Sequence, residues 1–203
     1  MSAPVPRIAP LPVEEWGDDA VTALRAGFGA QAADRLLAGA AGSPPMPNVL
    51  TTLMRHPAMA GPFLAYNNVL LRAPTLEPRL RELVVLRVAW RTRSEYEWVQ
   101  HVRMADRCGI TVEEIEAVGA GATAGSWSEL EADVLAATDQ LLDGFRIEDD
   151  TWARLARRLD ERQLLELLFV AGTYTCLAMA FNSVGLALDP ELDSVAAPPL
   201  PER

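Results

Sequence analysis

ELVVLRVAWRTRSEYEWVQHVRMADRCGI, residues 82–110, is the stretch whose reading decides the fold. An almost continuous apolar run from Leu80 to Trp90 leads into it. A run of that length makes either a buried strand or a buried helix. The charged approach, Arg79–Arg81–Glu82, and the lack of strand-type turns favour the helix. Arg91–Thr92–Arg93 reads as a break. A second helix is expected over Glu95–Arg107, stopping at Cys108–Gly109, with Gly109 as the residue past the helix end.

Outward from this block the chain reads as helical throughout. Residues 1–12 hold four prolines and predict an extended arm that either wraps a neighbouring subunit or stays disordered. Helical patterning runs from Glu14 to Ala40, and AGSPPMPN, residues 41–48, is a clear break. Another helix is expected over Phe63–Leu71. Thr111 with Glu114 forms the pattern of a capping box ahead of a further helix. GAGATAG, residues 119–125, has neither a preceding strand nor a following Lys-Ser/Thr, so a phosphate-loop reading is weak. Helices over 126–145, 151–159 and 161–188 and a proline-rich tail complete an all-α chain. The expected organisation is an N-terminal arm and helix over 1–44, a helical domain over 45–188, and a tail over 189–203.

One internal echo is visible. Placing Glu82 on Glu166 aligns ELVVLRVAW with ELLFVAGTY and sets Trp90 on Tyr174. A gap of about three residues then brings His101 onto Asn182. The second copy lacks the ionisable groups around His101, so residues 82–110 form the chemically equipped half and 164–188 a degenerate one.

Composition excludes several functions. Net charge is −10, which disfavours nucleic acid. All 18 basic residues are arginines, so no lysine can form a Schiff base. With two histidines, two cysteines and no CxxC, HxH or HExxH, an ordinary zinc site is not expected, and no cofactor is implied. Isolated cysteines suggest a reducing compartment. The opening residues show no basic segment followed by an apolar run. No stretch is expected to reach the roughly 20 apolar residues of a membrane span. The expectation is a cytoplasmic protein without membrane contact.

On a helix starting at Ser94, the side chains of Ser94, Glu97, Trp98 and His101 share one face. A hydroxyl, a carboxyl and an imidazole then converge, and burial against Trp98 would raise the Glu97 pKa. Ser94-x-x-Glu97 is also a capping box, which explains both residues without any function.

The block resembles the carboxymuconolactone decarboxylase and alkylhydroperoxidase D-like superfamily. Redox members of that superfamily carry Glu-x11-Cys-x2-Cys-x3-His. This chain reads Glu82, eleven residues, Ser94, two residues, Glu97, three residues, His101. The outer pair matches and both cysteines are replaced. The resemblance covers about residues 45–188 and implies an all-α, alkylhydroperoxidase D-like helical fold, internally duplicated, assembling as a dimer, trimer or hexamer.

Thiol peroxidase chemistry needs an attacking and a resolving thiol, which Ser94 and Glu97 cannot supply. Cys108 reads as a structural thiol and Cys176 as core. The resemblance therefore implies a cofactor-independent lyase of the decarboxylase type, acting on a small carboxylated or lactone-like compound. A hydrolase, isomerase or dehydratase, or a silent scaffold, are the alternatives. His101 is the expected acid or base, with Glu97 and Glu82 orienting it or relaying protons. Ser94, Trp98 and Tyr96 are candidate pocket residues, with Trp98 favoured as the apolar wall. Arg87 and Arg91 are candidates to clamp an acidic substrate, against the plainer reading of Arg87 in a salt bridge with Glu82 or a neighbouring subunit's acid. His56 reads as a loop or cap residue.

Overall fold

Residues 82–89 are buried without interruption, which no amphipathic surface helix allows. In the computed structural model, which describes residues 5–39 and 45–202, this segment lies in α5 (Pro78–Thr92). Among the described residues the chain forms ten α-helices and no strand. They are α1 (Asp18–Phe28), α2 (Ala30–Ala38), α3 (Asn48–Leu53), α4 (Pro57–Arg72), α5, α6 (Glu95–Ala105), α7 (Val112–Ala117), α8 (Glu129–Gly144), α9 (Asp149–Leu155) and α10 (Glu161–Val184). Short 3₁₀ turns join several of them.

The helices sort into two compact units, residues 1–73 with 183–193, and residues 74–182 with 194–203. One division falls at Ala73–Pro74; of the break expected at 41–48, residues 41–44 lie outside the described residues. In the first unit Ala20, Ala23 and Leu24 of α1 pack with Ala60 and Leu64 of α4. A Cβ on Gly27 would sit 2.4 Å from that of Leu64, so only glycine permits this approach. The single helix expected over 14–40 is broken at Gly29, whose φ of 78° ends α1. Over residues 7–11 the arm is tied to its own chain. Arg7 N–H donates to Val184 O, Leu11 N–H to Thr51 O, and Arg55 holds the Ala9 and Pro10 carbonyls.

In the second unit α5 is the central helix. Leu83, Val84, Val85, Leu86, Val88 and Ala89 are fully buried, alongside Val134 and Leu135 of α8 and Leu167 and Val170 of α10. Its two buried ionisable residues each have a partner. Arg87 donates to both Asp139 oxygens, at 2.7 and 2.9 Å, and to the carbonyls of Val118 and Gly119. Its guanidinium also lies 5.1 Å from the Trp90 ring centre. The glycine-rich connector exists to admit this group. Gly121 has φ +63°, and a Cβ there would stand 2.8 Å from an Arg87 nitrogen.

Arg79 organises the entrance to α5. It binds Glu114 and Glu131, and each of these also closes a capping box, with Thr111 at α7 and with Ser128 at α8. One cation thus ties together the N-termini of two helices.

Two expectations about α10 are corrected. Cys176 is exposed, not core, because it shares the outward face with Leu165, Phe169 and Met179, each at least half exposed. The helix is also long and apolar enough to cross a membrane by length and composition, with a mean hydropathy of 1.8. Counting only uninterrupted apolar residues concealed this, since Gly172, Thr173 and Thr175 dilute the run without making it polar. Its other face, including Leu164, Leu167 and Tyr174, is buried in the protein core.

Gly121→Ala is expected to lower stability by about 2 kcal/mol or more, through left-handed strain plus displacement of Arg87. Gly125→Ala, with open space around the new methyl, should change it by less than about 0.5 kcal/mol. Denaturant unfolding of both variants checks the contrast.

Candidate active site

The second ionisable group on α5, Glu82, is 1% exposed and faces α6. Its Oε1 lies 2.7 Å from His101 Nδ1. His101 is itself buried, at 6% exposure. An ionised Glu82 can only accept, so Nδ1 carries the proton and Nε2 is left as the ring nitrogen for chemistry. The charge-assisted bond also fixes the ring orientation. Edge-on to the imidazole stands Tyr174 of α10, with ring centres 5.1 Å apart and planes at 83°. Burial, then the Glu82 charge, push the Tyr174 phenol well above its usual range, with Arg81 opposing, so it stays neutral.

The sharp turn into α6 is made by Arg93, at φ 54°, followed by Ser94 as N-cap. Here the capping-box reading fails. Ser94 makes no side-chain cap bond. Its hydroxyl and both Glu97 oxygens are buried without a hydrogen-bond partner in the chain, and so is Oε1 of Gln100. Thr111–Glu114 and Ser128–Glu131 close the same four-residue pattern completely. Burial pushes the Glu97 carboxyl up to about 8. The Ser94 hydroxyl is near enough to pull the other way, though it is not in bonding geometry. At neutral pH Glu97 is therefore a neutral acid.

The structure brings Glu82 and His101 into contact and places Ser94 and Glu97 in the same buried helix. Trp98 is 2% exposed, but its indole N–H donates to the Pro198 carbonyl of the tail at 2.7 Å. Its polar edge is thus held by the chain's own C-terminal segment. Tyr96 is buried edge-on against Phe181, 5.6 Å between centres. Arg87 is consumed by Asp139, and Arg91 by Asp139 and Asp143. The salt-bridge reading of Arg87 holds, with Asp139 and not Glu82 as its acid. His56 is the exposed N-cap of α4, in the first unit.

Sequence reasoning missed Tyr174 and Gln100. The internal echo had already set Tyr174 opposite Trp90, the one sequence signal that this position is special. Cys108 is partly buried, and burial and the nearby Glu82 charge push its thiol up, against Arg81. Among the described residues no three His, Cys, Asp or Glu side chains group as metal ligands.

Comparison with known proteins bears on this geometry. Residues 57–140 match the model of the carboxymuconolactone decarboxylase family. The fold matches the alkylhydroperoxidase AhpD core of an uncharacterized peroxidase-related protein from Ralstonia eutropha JMP134. That match has a TM-score of 0.75 at 15% identity and covers 94% of this chain and 96% of that one. A peroxidase-related protein from Silicibacter sp. TM1040 matches at TM-score 0.66 and 16% identity, covering 74% and 80%. The debrominase Bmp8, solved with 2,3,4-tribromopyrrole as a cysteine-to-alanine variant, matches at TM-score 0.70 and 13% identity, covering 96% and 97%. No curated protein sequence is similar to the chain at a significant level. The chain thus matches the carboxymuconolactone decarboxylase family over residues 57–140 and shares the fold of alkylhydroperoxidase D-like proteins, with Ser94 and Glu97 at the two cysteine positions of the Glu-x11-Cys-x2-Cys-x3-His pattern.

Glu97 binds a proton in the folded chain that the unfolded chain, with its carboxyl near 4.5, has released. Stability attributable to this residue should therefore fall as pH rises from about 4.5 to about 8, and level off above. Glu97→Gln mimics the neutral acid and should remove that fall. Unfolding free energies of both proteins at pH 5.5 and pH 8 test this. An equal pH response in the two would contradict it.

Proposed function

We propose that the chain is a cofactor-independent lyase of the decarboxylase type, working by proton transfer and not by thiol chemistry. The observation that carries this reading is the buried Glu82–His101 pair at 2.7 Å. Such a pair holds an imidazole in one orientation and leaves its second ring nitrogen for proton transfer.

On a conjugated, lactone-like acid the step balances as follows. The bond to the carboxyl carbon breaks, releasing carbon dioxide, and its electron pair moves into the conjugated carbonyl to give a dienolate. The neutral Glu97 carboxyl donates a hydrogen bond to the developing oxyanion. The His101 imidazolium delivers its Nε2 proton to carbon, and the neutral ring is reprotonated from solvent. Glu82 keeps its charge throughout and acts as the orienting residue.

A thiol route has less support. The similar structures named for peroxidases and a debrominase are below 25% identity and speak for the fold. Ser94 and Glu97 hold the positions that such chemistry gives to cysteines. Cys108 is pushed away from the thiolate form, and Cys176 lies on the exposed face of α10. Arg87 and Arg91 are left out of the reading, since acidic side chains already hold them.

The test uses 4-carboxymuconolactone as first probe in heavy water. Release of carbon dioxide with uptake of one solvent deuterium at carbon is expected. His101→Gln, which keeps a donor for Glu82, should lower kcat at least 100-fold with the melting temperature little changed. Cys108→Ser should leave kcat within twofold. Incorporation of heavy oxygen from water would make the reaction a hydrolysis. Unchanged turnover in His101→Gln would remove His101 from the chemistry.

A further inference from the structure

We propose that the Ser94–Glu97–Gln100 row of α6 binds an uncharged edge of a small molecule that presents a hydrogen-bond donor and an acceptor side by side, such as an amide, lactam or hydroxy-carbonyl edge. This rests on the lyase reading and deepens it: the row takes the uncharged end of the substrate, and the departing carboxylate lies outside it.

The first argument is internal to the chain. The pattern Ser/Thr-x-x-Glu occurs at three helix starts. At Thr111 and Ser128 both reciprocal bonds form. At Ser94 neither does, although Trp98 N–H still donates to the Ser94 carbonyl at 2.9 Å as in a normal helix start. The Ser94 N–H is instead taken by the Ala89 carbonyl at 3.0 Å, which closes the end of α5, so Glu97 has no capping amide to accept from and both side chains are left over. Ser94 is 0% exposed and Glu97 3%. Four buried polar atoms, Ser94 Oγ, Glu97 Oε1 and Oε2, and Gln100 Oε1, then have no partner in the chain. Each such atom costs roughly 1–3 kcal/mol when buried unsatisfied. A row of them one turn apart, beside His101, is the signature of groups that meet a ligand.

The second argument is the donor and acceptor inventory. The Glu97 carboxyl, buried with neither oxygen hydrogen-bonded, stays neutral and offers one donor and one acceptor. Ser94 offers either, and Gln100 Oε1 only accepts. An amide edge pairs with a carboxylic acid in both directions at once: its carbonyl accepts from the Glu97 O–H and its N–H donates to the other oxygen. A carboxylate supplies acceptors alone. It would leave Gln100 Oε1 unmet and set a second negative charge near Glu82. Arg79, Arg87 and Arg91 are bound to acidic partners. Arg81, whose charge is felt at Tyr174 and Cys108, makes contacts of its own.

Benzamide and benzoate have the same shape and differ in charge and donor content. Titrated into the full chain at pH 7, with ligand-observed NMR and thermal shift as readouts, benzamide and 2-pyrrolidinone should bind and benzoate should bind at least tenfold more weakly. Glu97→Gln keeps a donor and an acceptor side by side and should retain benzamide within about threefold. Glu97→Ala and Ser94→Ala should each weaken it at least tenfold. His101→Gln should retain benzamide binding while losing turnover, which separates this proposal from the catalytic one. Benzoate binding as tightly as benzamide would overturn the proposal. So would no binding of either uncharged probe, or unchanged benzamide affinity in Glu97→Ala.

Discussion

A helix buried on every side cannot carry an ionisable group alone. That constraint on α5 shapes most of the second unit. Glu82 and Arg87 sit in its buried run. Removing one partner of such a buried pair costs about 3–5 kcal/mol, because the other charge is stranded in a low-dielectric interior. Each charge therefore dictates what must surround it. Arg87 draws Asp139 of α8, the carbonyls of Val118 and Gly119, and a connector whose glycines leave room for the guanidinium. Glu82 draws His101 of α6. The two neighbours of α5 are thus held against it by polar contacts as well as by the apolar core.

The two pairs have different consequences. The Arg87–Asp139 ion pair is saturated: backbone carbonyls, a bidentate carboxylate and the Trp90 ring take up the cation. The Glu82–His101 pair commits only one imidazole nitrogen and one carboxylate oxygen. A saturated pair fixes structure, while a half-committed one keeps capacity for proton transfer. The neutral Glu97 beside it adds an acid in a setting where water does not compete. Arg79 shows the same logic at the periphery, where two carboxylates serve a capping box and a salt bridge at once.

Much of this was legible in the residues. The apolar run over 80–90, the breaks at 91–93 and at Gly109, and the capping boxes at Thr111 and Ser128 all follow from local rules, since each depends on neighbours within one or two turns. The spacing from Glu82 to His101 marked both residues as a pair. Burial of Glu97, and the consequent rise of its pKa, followed from its place next to Trp98.

The sequence by itself determined an all-helical chain, with an imidazole, a carboxyl and a hydroxyl on one face of one helix. Only the tertiary structure decided which local options were taken. Ser94-x-x-Glu97 and Thr111-x-x-Glu114 are equivalent as patterns, yet one stays open in the interior and the other closes near the surface under Arg79. Arg87 and Arg91 look available in one dimension and are claimed by acids about fifty residues away. Tyr174 reaches His101 across some seventy positions. The physical reason is the same in each case. Helix periodicity and capping act over a few residues, whereas desolvation and the pairing of buried charge depend on whatever the rest of the chain packs alongside.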